Sequence, residues 1–268
     1  MPRNIVITGA TSGLGKYVAE TLLGGDDHVI LIGRNRELLA GIARNHENSS
    51  FYVADFSSQS DVKSVAVQIA RDFPRIDIVL CNAGILGREK PHITADGVEE
   101  TFMINYLSHY ILLCELFSVK TVPRVIITGS QAARWYTINF DDLMCLDSYK
   151  PLHAYGNSKA CLQMLGCWIF TLVPETSVYI IDPGTFRSGI ARSRAGWFQA
   201  IYNFAKWGMR SPATAAKDIM AILDGREFPG GKIIRRGKVK DLSFSTEEFG
   251  KLIEKSTALS GCDISRII

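Results

Sequence analysis

The sequence predicts an α/β fold, a parallel sheet covered by helices on both faces. Three observations predict it. Short β-branched runs alternate with amphipathic stretches along most of the 268 residues. The runs are close to continuously apolar, as strands buried on both faces are. The first run ends in a glycine-rich turn that opens directly into a helical pattern.

The elements follow in order. "NIVIT" (4–8) reads as the first strand, and a helix is expected over 14–24. "HVILIG" (28–33) is the second strand, with a helix over 36–45. "SFYVAD" (50–55) and a helix over 59–73 come next, then "IDIVLC" (76–81) and a helix over 95–119. "RVIITG" (124–129), a helix over 155–172 and "SVYIID" (177–182) complete the strong pattern, and "GKIIRR" (231–236) is a candidate last strand. Alternation sustained this long implies a Rossmann-type doubly wound parallel sheet of about seven strands, with ligands at the switch point of the strand order. There are no repeats and no Pro/Ser-rich linker, so residues 1–268 are read as a single dinucleotide-binding and catalytic domain.

Composition excludes several classes. Hydrophobic content of 47% and charged content of 21% are ordinary for a soluble globular chain. A net charge of +3 is too mild for a nucleic-acid partner. The first apolar run, at most five residues, is too short for a signal-peptide core, and no integral membrane segment is expected. The six cysteines form no C-x-x-C pair, and several lie in apolar segments. They read as buried free thiols in a reducing, cytoplasmic compartment. The five histidines show no ligand spacing, so no metal site is expected.

Two constellations carry chemistry. The first is Thr8-Gly9-Ala10-Thr11-Ser12-Gly13-Leu14-Gly15. Glycines let the backbone approach a pyrophosphate, and the helix N-terminus offers free N–H groups and a partial positive charge. The second strand ends Ile32-Gly33-Arg34-Asn35-Arg36, without the acid that would bond a ribose 2′-OH. A guanidinium there suits a 2′-phosphate, so NADP(H) is favoured over NAD(H). Arg34 is the first choice, with Arg36 or Lys16 in support, although Arg36 also reads as a solvated helix start. The second constellation is "HAYGNSKA", in which Tyr155 and Lys159 are helical i,i+4 neighbours. An ammonium beside a phenol of ordinary pKa about 10 would lower that value and make a usable acid–base.

Taken with "NAG" (82–84), Asn105, Ser130 and "YGNSK", all in one order, these motifs resemble the short-chain dehydrogenase/reductase family over about residues 4–235. Arg34, the "INFDDL" insertion and the tail "SPATAAKDIMAIL…GGKIIRRGK" resemble its retinol-dehydrogenase and protochlorophyllide-reductase-like branch. The resemblance implies a catalytic tetrad of Asn105, Ser130, Tyr155 and Lys159. Tyr155 would exchange the proton and Ser130 would bond the substrate carbonyl. Lys159 would hold the nicotinamide ribose, and Asn105 would hold a helix kink and a relay water. It also implies cofactor contacts from Gly9, Thr11, Ser12, Gly13, Leu14, Gly15 and Arg34. Asp55 would face the adenine with Phe56 beside it. Asn82, Ala83 and Gly84 would line the ribose, with Ile85 next to them. Pro183, Gly184 and Thr185 would cover the nicotinamide, with Ser188 beyond.

The implied activity is NADP(H)-dependent hydride transfer to or from a carbonyl or alcohol of a bulky, mostly apolar small molecule. A non-redox step such as cyclisation is the rival reading. An NADP-binding regulator is another, and an intact tetrad argues against it. Trp135, Tyr136 and His153 are candidate substrate contacts. The aromatic, basic segment 186–210 is expected to form a substrate lid, with contact to a membrane surface as its alternative. The run 232–240 reads as a solvated surface. A homodimer or homotetramer is compatible with the family.

Overall fold

The computed structural model describes residues 1–186 and 210–267. Of the expected lid over 186–210, residues 187–209, Ser188 among them, lie outside the described residues.

The chain alternates strands and helices as the pattern requires. β1 (Asn4–Thr8), α1 (Gly13–Leu22), β2 (His28–Gly33), α2 (Arg36–Ala43), β3 (Ser49–Val53), α3 (Gln59–Asp72) and β4 (Ile78–Cys81) form the first half. Next come α4 (Glu100–Phe102), a π-helical stretch over Met103–Leu107, α5 (Ser108–Phe117), β5 (Arg124–Thr128), α6 (Pro151–Leu172) and β6 (Ser177–Ile181). After the undescribed segment come α7 (Pro212–Ala215), α8 (Lys217–Leu223), β7 (Ile233–Arg235), β8 (Lys238–Lys240) and α9 (Thr246–Ser260).

The strands form one sheet in the order β3-β2-β1-β4-β5-β6-β7-β8. The pairs from β3 to β7 are parallel. The order reverses between β1 and β4, which opens a crevice at the carboxyl ends of the strands. Cores lie on both faces. One face packs α3, α5 and α6, with Val6, Ile30, Leu113 and Leu165 buried. The other packs α1 and α8, with Ile5, Leu31, Val18 and Ile222 buried. Each such side chain contributes about 1.5–3 kcal/mol by leaving water. Double-sided burial explains why the strands carry no polar alternation.

Three expectations change. Among the described residues the sheet has eight strands, because β8 adds antiparallel to β7 through a turn at Arg236 and Gly237. The basic run 232–240 is therefore largely an edge hairpin. The helix expected over 95–119 begins at Glu100 and passes through the π-helical turn. The helix expected from 155 begins at Pro151, a residue suited to a first helical turn because its missing N–H has no partner to lose there. α9 was not among the expected elements. It carries a full capping box, in which the Ser245 side chain accepts from Glu248 N and the Glu248 carboxylate accepts from Ser245 N.

Candidate active site

The crevice is a cleft of about 760 Å³ that runs from the end of β2 to the start of α6. Its floor is the turn after β1. Gly9 has φ +68°, and a Cβ there would meet the Ala83 Cα at 2.9 Å. At Gly15 a Cβ would meet Asn82 Nδ2 at 2.5 Å and the Gly9 carbonyl oxygen at 2.6 Å. The turn therefore closes against β4 only with glycine at both positions. Gly15 works from behind the cleft wall, whereas Gly9, Thr11, Ser12, Gly13 and Leu14 line it. Ser12 makes no side-chain cap, and α1 has no acid in its first turn. The helix thus presents backbone donors and its positive end to the cleft.

Behind the turn lies a buried polar network. Thr8 Oγ1 accepts from the backbone N–H of Asn82 at 2.8 Å and of Ala83 at 2.9 Å. It lies 3.0 Å from His109 Nε2, and His109 Nδ1 lies 3.3 Å from the Asn105 carbonyl oxygen. A carbonyl only accepts, so Nδ1 carries the proton and Nε2 accepts from Thr8. Burial holds the imidazole neutral, with its pKa lowered to about 3 and the Lys159 charge acting in the same direction. Asn82 Nδ2 donates to the Thr8 carbonyl oxygen at 2.9 Å. The Asn82 side chain therefore ties β1 to β4. The lone histidine carried no spacing signal, so sequence reasoning missed this clamp.

Arg34, at the end of β2, is exposed and lines the cleft beside Asn35 and Leu38. Neither helper expected for it is there. Arg36 sits over the Phe51 ring at 6.0 Å, and Lys16 pairs with Glu20 at 3.5 Å. Asp55 and Phe56 also line the cleft. One Asp55 oxygen is engaged by Ser57, accepting from its N–H at 2.9 Å and its hydroxyl at 2.8 Å.

At the other end α6 supplies Tyr155 and Lys159, the loop after β5 supplies Ser130, and the loop after β6 supplies Pro183, Gly184 and Thr185. Lys159 is 2% exposed and donates to the Thr128 carbonyl oxygen at 2.9 Å. Burial lowers its pKa from 10.5 to about 8. Ser130 Oγ accepts from Ala132 N at 3.2 Å, and its own proton is directed at the Tyr155 hydroxyl. Gln163, one turn beyond Lys159, fixes the Ser130 carbonyl from Nε2 at 2.8 Å.

The expected lowering of the Tyr155 pKa is not what the structure has. Burial holds it above 10.0, a hydrogen bond from Ser130 opposes that, and the Asp182 charge adds to the rise. The i,i+4 spacing brings the two side chains to one helical face, but Lys159 is held by Thr128 and desolvation dominates at the phenol.

Asn105 sits behind the cleft in the π-helical turn, fully buried. Its Oδ1 accepts from Ile85 N at 2.7 Å, and its Nδ2 donates to the Ile85 carbonyl oxygen at 2.9 Å and to Ser158 Oγ at 3.0 Å. One side chain thus fixes the loop after β4 against α6. Gly84 fits between them, since a Cβ there would lie 3.2 Å from Asn105 Oδ1 and 3.5 Å from Lys159 Nζ.

The mouth beside Tyr155 is apolar. Ile85, Leu86, Ile104, Trp135 and Leu152 line it, with Trp135 64% exposed. Arg88 and Glu100 pair at 2.6 Å on its edge. Tyr136 and His153, expected near substrate, stack on each other at 4.4 Å instead. Among the described residues no cluster of His, Cys, Asp or Glu could hold a metal, and no helix is long and apolar enough to cross a membrane.

This sheet order, with a glycine turn at one end of the crevice and a Ser, Tyr and Lys at the other, defines a nucleotide-binding oxidoreductase class. The family model for short chain dehydrogenases matches residues 3–197, and the chain belongs to that family. Among named relatives, human retinol dehydrogenase 14 is 26% identical over 294 residues, covering 99% of this chain and 86% of its own. A protein of Streptomyces sp. (strain C5), provisionally named a daunorubicin C-13 ketoreductase, is 28% identical over 270 residues, covering 97% and 93%. Among solved structures, the Pseudomonas aeruginosa RhlG/NADP active-site complex superposes with a TM-score of 0.64 at 26% identity, covering 88% of this chain and 95% of that one.

Proposed function

We propose that this chain is an NADP(H)-dependent oxidoreductase acting between a carbonyl and an alcohol of a bulky, mostly apolar small molecule. One observation carries the reading. A single cleft joins the glycine turn and Arg34 to Ser130, Tyr155 and Lys159.

The residues suit a dinucleotide. The cradle at Gly9 is one that a Cβ would fill, and the α1 N-terminus opens onto it without an acid. Arg34 pairs with no described carboxylate, so its guanidinium is available to a 2′-phosphate. Gly9, Thr11, Ser12, Gly13 and Leu14 would hold the pyrophosphate. Asp55, Phe56, Asn82, Ala83 and Gly84 would line the adenosine half. Lys159, Tyr155, Pro183, Gly184 and Thr185 would hold the nicotinamide half. When bound, the nicotinamide supplies or takes the hydride.

The chain's own residues handle the proton. In reduction, charge grows on the substrate oxygen, where Ser130 Oγ and the Tyr155 hydroxyl donate hydrogen bonds that strengthen in the transition state. The Tyr155 hydroxyl then gives up its proton. Its raised pKa keeps that proton in place beforehand, which suits an acid more than a base. Lys159, fixed by Thr128, holds positive charge on the same face and favours the phenolate once it forms. Asn105 sets the height of Ile85 and Gly84 against α6, and so the width of the cleft. Ile85, Leu86, Ile104, Trp135 and Leu152 favour an apolar substrate and exclude water.

The test is a fluorescence titration of wild type and Arg34→Ala with NADPH and NADH. The reading expects tight NADPH binding that falls to NADH-like affinity in the variant. Binding of neither nucleotide would overturn it.

A further inference from the structure

Asp182 is the first residue beyond β6, and it is 3% exposed. Ile180 pairs with Ile233 and Ile181 with Ile234, so Asp182 and Arg235 fall opposite each other one step further along. On the other flank Ile181 pairs with Thr128, which sets Gly129 beside Asp182. Side chains alternate faces along a strand. Ile180 and Ile233 are buried with Leu162 and Leu165 of α6, and Asp182 and Arg235, two residues on, share that face. Gly129 adds no side chain on its flank, and Ser130 follows it.

The two carboxylate oxygens do different things. Oδ1 accepts from Gly184 N at 2.9 Å and closes the turn in which Gly184 has φ +69°. Oδ2 is buried and receives no hydrogen bond, and its ion-pair partner is Arg235 Nη1 at 3.5 Å. The same guanidinium packs on Gly184, where a Cβ would lie 3.5 Å from Nη2. Burying a charge with one oxygen unmet is costly. A polar atom left so in a native fold calls for a role.

The charged and titratable groups around this end of the cleft can be named. α6 supplies Tyr155 and Lys159, the end of β6 supplies Asp182, and β7 supplies Arg235. Arg210, just ahead of α7, approaches Gly184, where a Cβ would lie 3.8 Å from Nη1. Arg88 and Glu100 pair with each other at the mouth, and Arg34 and Asp55 lie at the glycine-turn end. Among the described residues, Asp182 is the carboxylate whose charge acts on the Tyr155 phenol, and it raises the pKa together with burial.

We propose that Asp182, paired with Arg235, is a positioning residue that keeps the proton on Tyr155 and so extends carbonyl reduction to higher pH at the expense of alcohol oxidation. A negative charge near a phenol disfavours the phenolate. Reduction uses Tyr155 as the phenol and oxidation uses it as the phenolate, so the two pH limbs move together. Asp182 acts through its charge while its Oδ1 holds the Gly184 turn. This role rests on the reading of Tyr155 as the acid and deepens it.

The test is carbon-13 NMR of protein labelled at tyrosine Cζ, titrated with pH without added nucleotide, with Tyr155→Phe to assign the resonance. Near-ultraviolet circular dichroism at each pH confines the reading to folded protein. Asp182→Asn removes the charge and keeps an oxygen to accept from Gly184 N. Asp182→Ser does the same, since a hydroxyl also accepts from an N–H two residues on. In both, Tyr155 should titrate about one pH unit earlier than in wild type, the effect of one charge about 10 Å away at an effective dielectric of about 20. Arg235→Lys keeps the pair and should titrate with wild type. With NADP+ and an alcohol that the protein turns over, the alkaline rise of oxidation should move by the same shift, so that the neutral variants oxidise about tenfold faster at a fixed pH below it. A Tyr155 resonance that titrates no earlier in either neutral variant would overturn the inference. So would Arg235→Lys titrating as early as Asp182→Asn. No turnover with either nucleotide would overturn the proposed function, whereas the NMR shift tests the Asp182 charge separately.

Discussion

The Lys159 ammonium donates to the Thr128 carbonyl oxygen at 2.9 Å, and the side chain is 2% exposed. A charge this buried makes stability depend on pH. The folded pKa is depressed, from 10.5 to about 8, so between those values the unfolded chain binds the extra proton. Stability therefore rises with pH across that window, and the full cost of the buried charge is present below about pH 8. Lys159→Met should raise unfolding free energy at pH 7 by up to about 3 kcal/mol, less about 1 kcal/mol for the lost bond to Thr128. The gain should shrink by pH 10. Urea unfolding at several pH values measures it. A gain that stays constant with pH would refute the assignment.

His109 works in the acid range. Its folded pKa of about 3 lies below the ordinary 6.5, so its contribution is complete above 6.5 and is lost as pH falls towards 3. The loss should approach about 1.4 kcal/mol per pH unit. His109→Gln should flatten that slope while weakening the Thr8 clamp. Acid-induced unfolding of the two proteins, followed by circular dichroism, is the check.

Gly15→Ala should fail at the cofactor turn. The new methyl would meet Asn82 Nδ2 at 2.5 Å and the Gly9 carbonyl oxygen at 2.6 Å. The backbone must shift, at about 1–3 kcal/mol. Loss of nucleotide binding should exceed the loss of stability, because the displaced segment is the α1 entry itself. Parallel melting and nucleotide titration separate the two effects.

Asn105→Ala should leave the Ile85 N–H and carbonyl unpaired beside a buried Ser158. Each orphaned buried group costs about 1–3 kcal/mol. The variant should melt several degrees lower and turn over more slowly, with a smaller change in substrate KM. Asn105→Asp should not rescue it, since Nδ2 supplies two of the three bonds.

Much of this was legible in the sequence for a physical reason. Runs such as Asn4–Thr8 and Ser177–Ile181 are buried on both faces, so their apolar character is nearly continuous. The glycines at 9 and 15 showed themselves because nothing larger fits. Other features left no trace of that kind. β8 is three residues, Lys238–Lys240, with one apolar side chain, so no pattern marks it. The π-helical turn over Met103–Leu107 is wholly buried, and its residues do not differ in character from those of α5. The Tyr155–Lys159 spacing reveals adjacency, whereas the raised pKa depends on burial supplied by segments far away in the chain. α9 is the opposite case, because its Ser245 and Glu248 capping box is a local signal present in the sequence itself.

The most direct test is transfer of deuteride from C4-deuterated NADPH to a panel of bulky aromatic and polyene ketones and aldehydes, followed by mass spectrometry, with wild type and Tyr155→Phe. A deuterated alcohol is expected from wild type. Turnover about 10²–10⁴-fold lower is expected in Tyr155→Phe, with NADPH affinity retained. Equal turnover by the two proteins, or no deuterated product from wild type across the panel despite bound NADPH, would contradict the proposed function.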